Sequence, residues 1–202
     1  PQTRERLYCI GFKKKTKFKY PAPIPLKYRM YDFLEDYTGS PYYVKEKNAK
    51  VLSSDEAKRQ SIAEGSTSEG FNDFVFTVNE IEDKYYLSEK VAKYVLCPGT
   101  KTFKTPIKTD LDIARPLLQS MHKMHRAGVD NYVTYNKKKG IDGLRKLTPR
   151  ECLRLMGFKD DFKIAVSNTS AYMEAGNSIV VDVLIAILKQ LDITKYGVSN
   201  EE

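Results

Sequence analysis

The sequence predicts a mixed α/β chain whose elements become more regular toward its carboxy-terminal end. Three observations carry that prediction. Arg6 to Phe12 is short, apolar and nearly continuous, which reads as a buried strand. Residues 26–143 change pattern repeatedly, with short helical and strand-like pieces and no repeat, as in a small irregular α+β module. From Thr148 onward, helix caps and helical spacing of apolar side chains alternate cleanly.

Taken in order, the strand at 6–12 is followed by prolines at 21, 23 and 25. Proline cannot sit in a central strand or a helix interior, so residues 1–25 are expected to form a strand and linker apart from 26–143. Arg29 to Tyr37 fits a short helix with Met30, Phe33 and Leu34 on one side. Ser54 to Glu64 fits a polar helix capped by Ser53 or Ser54, residues 65–70 a loop, and Asp73 to Val78 a strand with Phe74, Phe76 and Val78 on one face. Ser88 to Leu96 returns to helical spacing through Val91 and Val95, and Cys97-Pro98-Gly99 stops it.

The region 144–202 is the most legible. Thr148-Pro149-Arg150-Glu151 is a capping box with proline where its missing N–H costs nothing, and the helix it opens should stop at Gly157. Ser167 or Asn168 should cap a second helix through Tyr172. Asn177 or Ser178 should cap a third, with Ile179, Val180, Val183, Leu184, Ile187, Leu188 and Leu191 forming one wide apolar face. That face needs a partner, and the strand at 6–12 is one candidate.

The 41% hydrophobic and 11% aromatic content of the 202 residues is enough for a folded core. No apolar run approaches the ~20 residues of a membrane span, and no secretory signal is expected. Cys9, Cys97 and Cys152 are odd in number and widely spaced, which fits a reduced intracellular chain and neither a disulfide framework nor a zinc site. His122 and His125 are three apart, but no cysteine or carboxylate cluster supports a metal. The net charge of +8 is concentrated: residues 1–50 hold 12 basic against 5 acidic side chains, and 101–150 hold 12 against 4. Such local excess is the footprint of a phosphate-binding face, with solvated surface as the plain alternative.

Three blocks carry more specific information. The first is Pro1-Gln2-Thr3-Arg4-Glu5-Arg6. The second is Arg145-Lys146-Leu147-Thr148-Pro149-Arg150-Glu151, continuing through Arg154-Leu155-Met156-Gly157-Phe158. The third, eighteen residues after that Gly-Phe, is Gly176-Asn177-Ser178-Ile179. In this order they resemble the last signature blocks of DNA cytosine-5 methyltransferases, "P-Q-x-R-x-R", "R-x-L-T-x-R-E-x-x-R-L-x-G-F" and "G-N-S-V". The resemblance implies the carboxy-terminal portion of a doubly wound, S-adenosylmethionine-dependent methyltransferase domain together with a small target-recognition domain at 26–143. It implies a prokaryotic, cytoplasmic enzyme of a restriction-modification system that methylates carbon 5 of cytosine in a short duplex site. Such enzymes attack cytosine with the cysteine of a Pro-Cys dipeptide, and no Pro-Cys occurs in this chain. A complementary catalytic half carrying that nucleophile is therefore an implied partner, beside double-stranded DNA, and the chain alone is expected to be inactive.

Carried over residue by residue, Gln2, Arg4 and Arg6 belong beside the flipped cytosine and its phosphate. On a strand Arg4 and Arg6 share a face, and two guanidiniums can hold a phosphate and a base carbonyl together. Gly176, Asn177 and Ser178 belong at the methionine end of the cofactor, where the amides of a helix start suit a carboxylate. Here Glu174 stands where relatives often carry glutamine, placing a negative charge nearby. Arg150 and Glu151 shape the base of the recognition domain. The segment 114–126 lies where recognition loops end, and Arg115, Gln119, Lys123 and Arg126, with Arg150, are the candidate DNA contacts. Leu117-Leu118 replaces the Thr-Leu pair common there. A stand-alone, non-catalytic DNA-binding module is the alternative; it would bury the last helix's stripe internally, whereas a partial enzyme would leave it exposed.

Overall fold

The computed structural model describes residues 2–36, 79–134 and 143–191, apart from 4, 24, 100, 101, 103 and 105. The expected helix at 54–64, loop at 65–70, strand at 73–78 and the side chain of Arg4 lie outside the described residues.

The described architecture is mixed α/β, with four α-helices, three 3-10 turns and one two-stranded ribbon. A 3-10 turn at Met30–Phe33 stands in place of the expected helix at 29–37, and Met30, Phe33 and Leu34 are buried as their spacing implied. Helix α1 spans Glu89–Val95 and buries Ala92 and Val95; Leu87, just before it, is buried with them. The Leu96 N–H closes the helix on the Ala92 carbonyl before Pro98 and Gly99 turn the chain away. A 3-10 turn at Met121–Lys123 precedes strand β1, Tyr132–Val133. β1 pairs antiparallel with β2, Arg145–Lys146, in the register Tyr132↔Lys146 and Val133↔Arg145.

Helix α2, Pro149–Leu155, opens with the capping box read from the sequence: Thr148 Oγ1 accepts from the Glu151 N–H at 3.1 Å, and the Glu151 carboxylate accepts from the Thr148 N–H at 2.8 Å. It stops at Gly157, whose φ of +89° suits glycine. Helix α3, Asn168–Asn177, is capped by the Ser167 hydroxyl on the Ser170 N–H at 3.3 Å. It runs five residues beyond the expected end at Tyr172. Helix α4 spans Val181–Leu191. The main core joins Met30, Phe33 and Leu34 to Leu117, Met121 and Val133 and to Cys152, Leu153, Met156, Tyr172 and Ala175. A smaller cluster packs α1 against Ala127, Tyr132 and Leu144.

Two expectations are corrected. Residues 6–12 form no strand, and Leu7 is 89% exposed. A strand is stable only when neighbours take its backbone donors and acceptors. Among the described residues the amino-terminal segment finds one such ladder site, a parallel bridge from Gln2 to Ala114; at 6–12 the Tyr8 carbonyl accepts from the Tyr20 hydroxyl at 2.7 Å, a side-chain contact that starts no sheet. Second, Asn177 and Ser178 do not open the last helix. Asn177 is the final residue of α3 and Ser178 its carboxy-terminal cap, with its N–H on the Ala175 carbonyl at 3.3 Å. No single described helix is long and apolar enough to cross a membrane.

Candidate functional site

The base of the site is a buried ionic hub. Arg145 is fully buried and donates two parallel hydrogen bonds to Glu151, Nη1 to Oε2 at 2.9 Å and Nη2 to Oε1 at 2.8 Å. Its Nε and Nη2 also reach Asp36, at 3.3 and 2.7 Å. Burial works against the Arg145 charge, but Glu151 and Asp36 more than compensate and raise its pKa. Glu151, equally buried, also accepts from the backbone N–H of Glu35 at 2.9 Å. The Glu35 carboxyl accepts from the Thr148 hydroxyl and from Asn79 Nδ2; burial, then repulsion by Glu151, raises its pKa. Nearby, Arg154 makes a bidentate pair with Asp160 at 2.8 and 2.6 Å. Glu151 is thus both helix cap and ion-pair centre. Apart from Glu35 and Thr148, which also line the cleft beside Arg150, the hub is sealed from solvent, and its ion pairs position the elements around it.

Above it lies the basic segment 114–126. Asn131 pins its start, accepting from the Arg115 N–H at 2.8 Å and donating to the Arg115 carbonyl at 3.1 Å. Gln119 and Lys123 are exposed. Arg115 and Arg126 are half-buried, and each has a buried Nε with no hydrogen-bond partner. The Arg126 guanidinium lies over the Tyr94 ring at 5.3 Å. His122 and His125 contact the Gln119 carbonyl and the Ser120 hydroxyl at 3.3 and 3.0 Å. Arg150 sits apart on α2, with Nη1 donating to the Lys159 carbonyl at 3.4 Å and Nε 4.0 Å from Asp160. It faces a cleft of about 400 Å³ also lined by Glu35, Glu80 and Glu82.

The amino-terminal block is joined to this segment by Gln2. Its Oε1 accepts from the Leu117 N–H at 3.3 Å and its Nε2 donates to Met156 Sδ at 2.8 Å, while the Thr3 N–H donates to the Ala114 carbonyl at 2.9 Å. Arg6 is exposed and is not brought to the other candidate residues. Because α3 ends at the Gly176-Asn177-Ser178 tripeptide, the tripeptide sits at the negative end of a helix dipole and not at a helix start. That environment disfavours the carboxylate expected from a helix start and favours a cation. Glu174 and Asn177, both exposed on the same terminal turn, reinforce the preference. Gly176 is buried against the backbone of Leu118 and Gln119. The sequence assigns Arg150 and Glu151 to this base and contains Arg145 and Arg154 in the same block without marking them as its ion-pair centres; it has no signal for Glu35 and Asp36, which lie more than a hundred residues away.

The last helix remains open. Of α4 only Ile187 is buried, while Val183, Leu184, Ile185 and Leu188 are 38–39% exposed, with Ile179 beside them at 44%.

Fold and site define a mixed α/β scaffold built around a buried ionic hub. The model of the C-5 cytosine-specific DNA methylase family matches residues 1–192, and the chain belongs to that family. Among curated relatives it is 30% identical to the Type II methyltransferase M.HpaII of Haemophilus parainfluenzae over 98% of this chain and 48% of that one. It is 28% identical to Type II methyltransferase M.NlaX of Neisseria lactamica over 100% of this chain and 51% of that one. The chain thus spans about half the length of these relatives. A crystal structure of S. pombe Dnmt2 methyltransferase overlaps 65% of the chain and 45% of its own, with a TM-score of 0.45 and 19% identity.

Proposed function

We propose that this chain is the target-recognition and cofactor-closing part of a DNA cytosine-5 methyltransferase of a restriction-modification system in a prokaryotic cytoplasm. It works with a complementary catalytic half that carries the Pro-Cys nucleophile. The observation that carries the reading is the family match across residues 1–192 in a chain without a Pro-Cys dipeptide. The exposed apolar face of α4 supports it against the stand-alone binding module, which would have no reason to leave that face uncovered.

In this reading the domains are 1–25 and 144–202, which belong with the catalytic half, and 26–143, which reads DNA. Gln119 and Lys123 project from the basic segment with side chains suited to base edges and phosphates. Arg115 and Arg126 each hold an unpartnered Nε and add positive field. Arg150, already close to Asp160, contributes least. Arg4 and Arg6 belong beside the flipped cytosine in the complete enzyme, and Gln2 joins the start of the chain to the recognition segment. When bound, S-adenosylmethionine supplies an activated methyl group on a sulfonium. Its cationic end fits Glu174, Asn177, Ser178 and the carbonyls closing α3 better than its carboxylate does. The hub around Arg145 fixes the geometry between these two ends.

Exchanging residues 28–143 for the equivalent region of a relative, in the complete enzyme, should change which site is methylated while the modified atom stays carbon 5 of cytosine. Bisulfite mapping reads both. An unchanged site places recognition elsewhere.

A further inference from the structure

Gly176 lies inside α3, where glycine is a poor choice, and the helical backbone there needs none of its conformational freedom. What it permits is contact. A Cβ at Gly176 would fall on the backbone of Leu118 and Gln119, which cannot withdraw as a flexible side-chain end can. The following 3-10 turn, Met121–Lys123, continues along α3, and Met121 Sδ meets Cys152 Sγ of α2 at 3.8 Å. Gln2 holds the same junction from the other side through the Leu117 N–H and Met156 Sδ. One residue beyond Gly176 is exposed Asn177, and at the contact itself is exposed Gln119.

We propose that Gly176 is a positioning residue: by admitting the Leu118–Gln119 backbone, it makes the base-reading segment and the cofactor-facing end of α3 one mechanical unit, so that DNA and cofactor binding are coupled. This rests on the function proposed above. A base contact that shifts Gln119 shifts the end of α3, and by linkage each ligand changes the other's affinity by the same factor. Gln2 belongs to the same latch.

The test measures the Kd of S-adenosylhomocysteine for the complex with the catalytic half, with and without a duplex oligonucleotide containing the methylated site. The parent should show a coupling factor of at least about 5. Gly176→Ala and, independently, Gln2→Ala should bring it to within about twofold of one while some methylation persists. A merely structural defect would weaken both affinities and leave the factor unchanged. Should Gly176→Ala not fold, Gln2→Ala decides alone. A methylating parent with no coupling, or folded variants with the parental factor, overturns the proposal; a parent complex that methylates no cytosine defeats the underlying function instead.

Discussion

The hub around Arg145 and the face of α4 are opposites. In the hub the cations are buried and met: Arg145 by Glu151 and Asp36, and Arg154 by Asp160, while Glu151 accepts from two backbone amides as well. On α4 the apolar stripe is complete in sequence and uncovered in space, with Ile187 alone buried. One region is finished by this chain's own residues and the other is not. The difference separates residues that should govern stability of the chain from those that should govern assembly.

Breaking the hub should have the largest effect. Arg145→Leu leaves Glu151 and Asp36 buried without their cation, and removing one member of such a pair costs about 3–5 kcal/mol. Urea unfolding of the chain checks it; a loss below about 1 kcal/mol would mean that water reaches the hub.

A second stability effect comes from a buried carboxyl outside both regions. Burial raises the Asp130 pKa from 3.8 to about 6, its hydrogen bond from the Asn131 N–H only partly opposing this. A carboxyl that holds its proton more tightly when folded stabilises fully below its unfolded pKa, and that stability is lost as pH rises through the folded value. The chain should lose up to about 3 kcal/mol between pH 4 and 7 from this group. Asp130→Asn should flatten that part of the stability–pH curve in parallel unfolding series. An unchanged slope would assign the titration elsewhere.

On the open face the effects should invert. Leu188→Asp should cost the isolated chain on the order of 1 kcal/mol, since the side chain is only partly exposed at 38%. It should weaken binding of the catalytic half by about 1–3 kcal/mol, chiefly because a carboxylate would have to be buried there. Calorimetric titration of the two halves reads this, and equal affinity for parent and variant would show α4 to be outside the interface. The smallest effect belongs to Ser167→Ala, which removes one cap and should cost about 1 kcal/mol.

What was legible in the sequence was local. The Thr148-to-Glu151 box and the stop at Gly157 involve partners within a few residues, so their pattern states their structure. The apolar spacing of α1 and α4 was equally plain. What was hidden depended on distant neighbours. Nothing near Asp36 marks it as the partner of Arg145. Arg6 to Phe12 has the composition of a strand without a sheet to receive it here. Asn177 and Ser178 read as the start of a helix because both residue types cap well. Gly176, assigned with them to the cofactor, meets the Leu118–Gln119 backbone, which no local pattern reveals.

If the chain positions DNA and cofactor for a nucleophile carried by a second half, as proposed, single-turnover methyl transfer to duplex DNA should show it, measured for the chain alone, the catalytic half alone and the two mixed. 5-Methylcytosine should form only in the mixture. Methylation by the chain alone, or a stable mixed complex that leaves every cytosine unmodified, would contradict it.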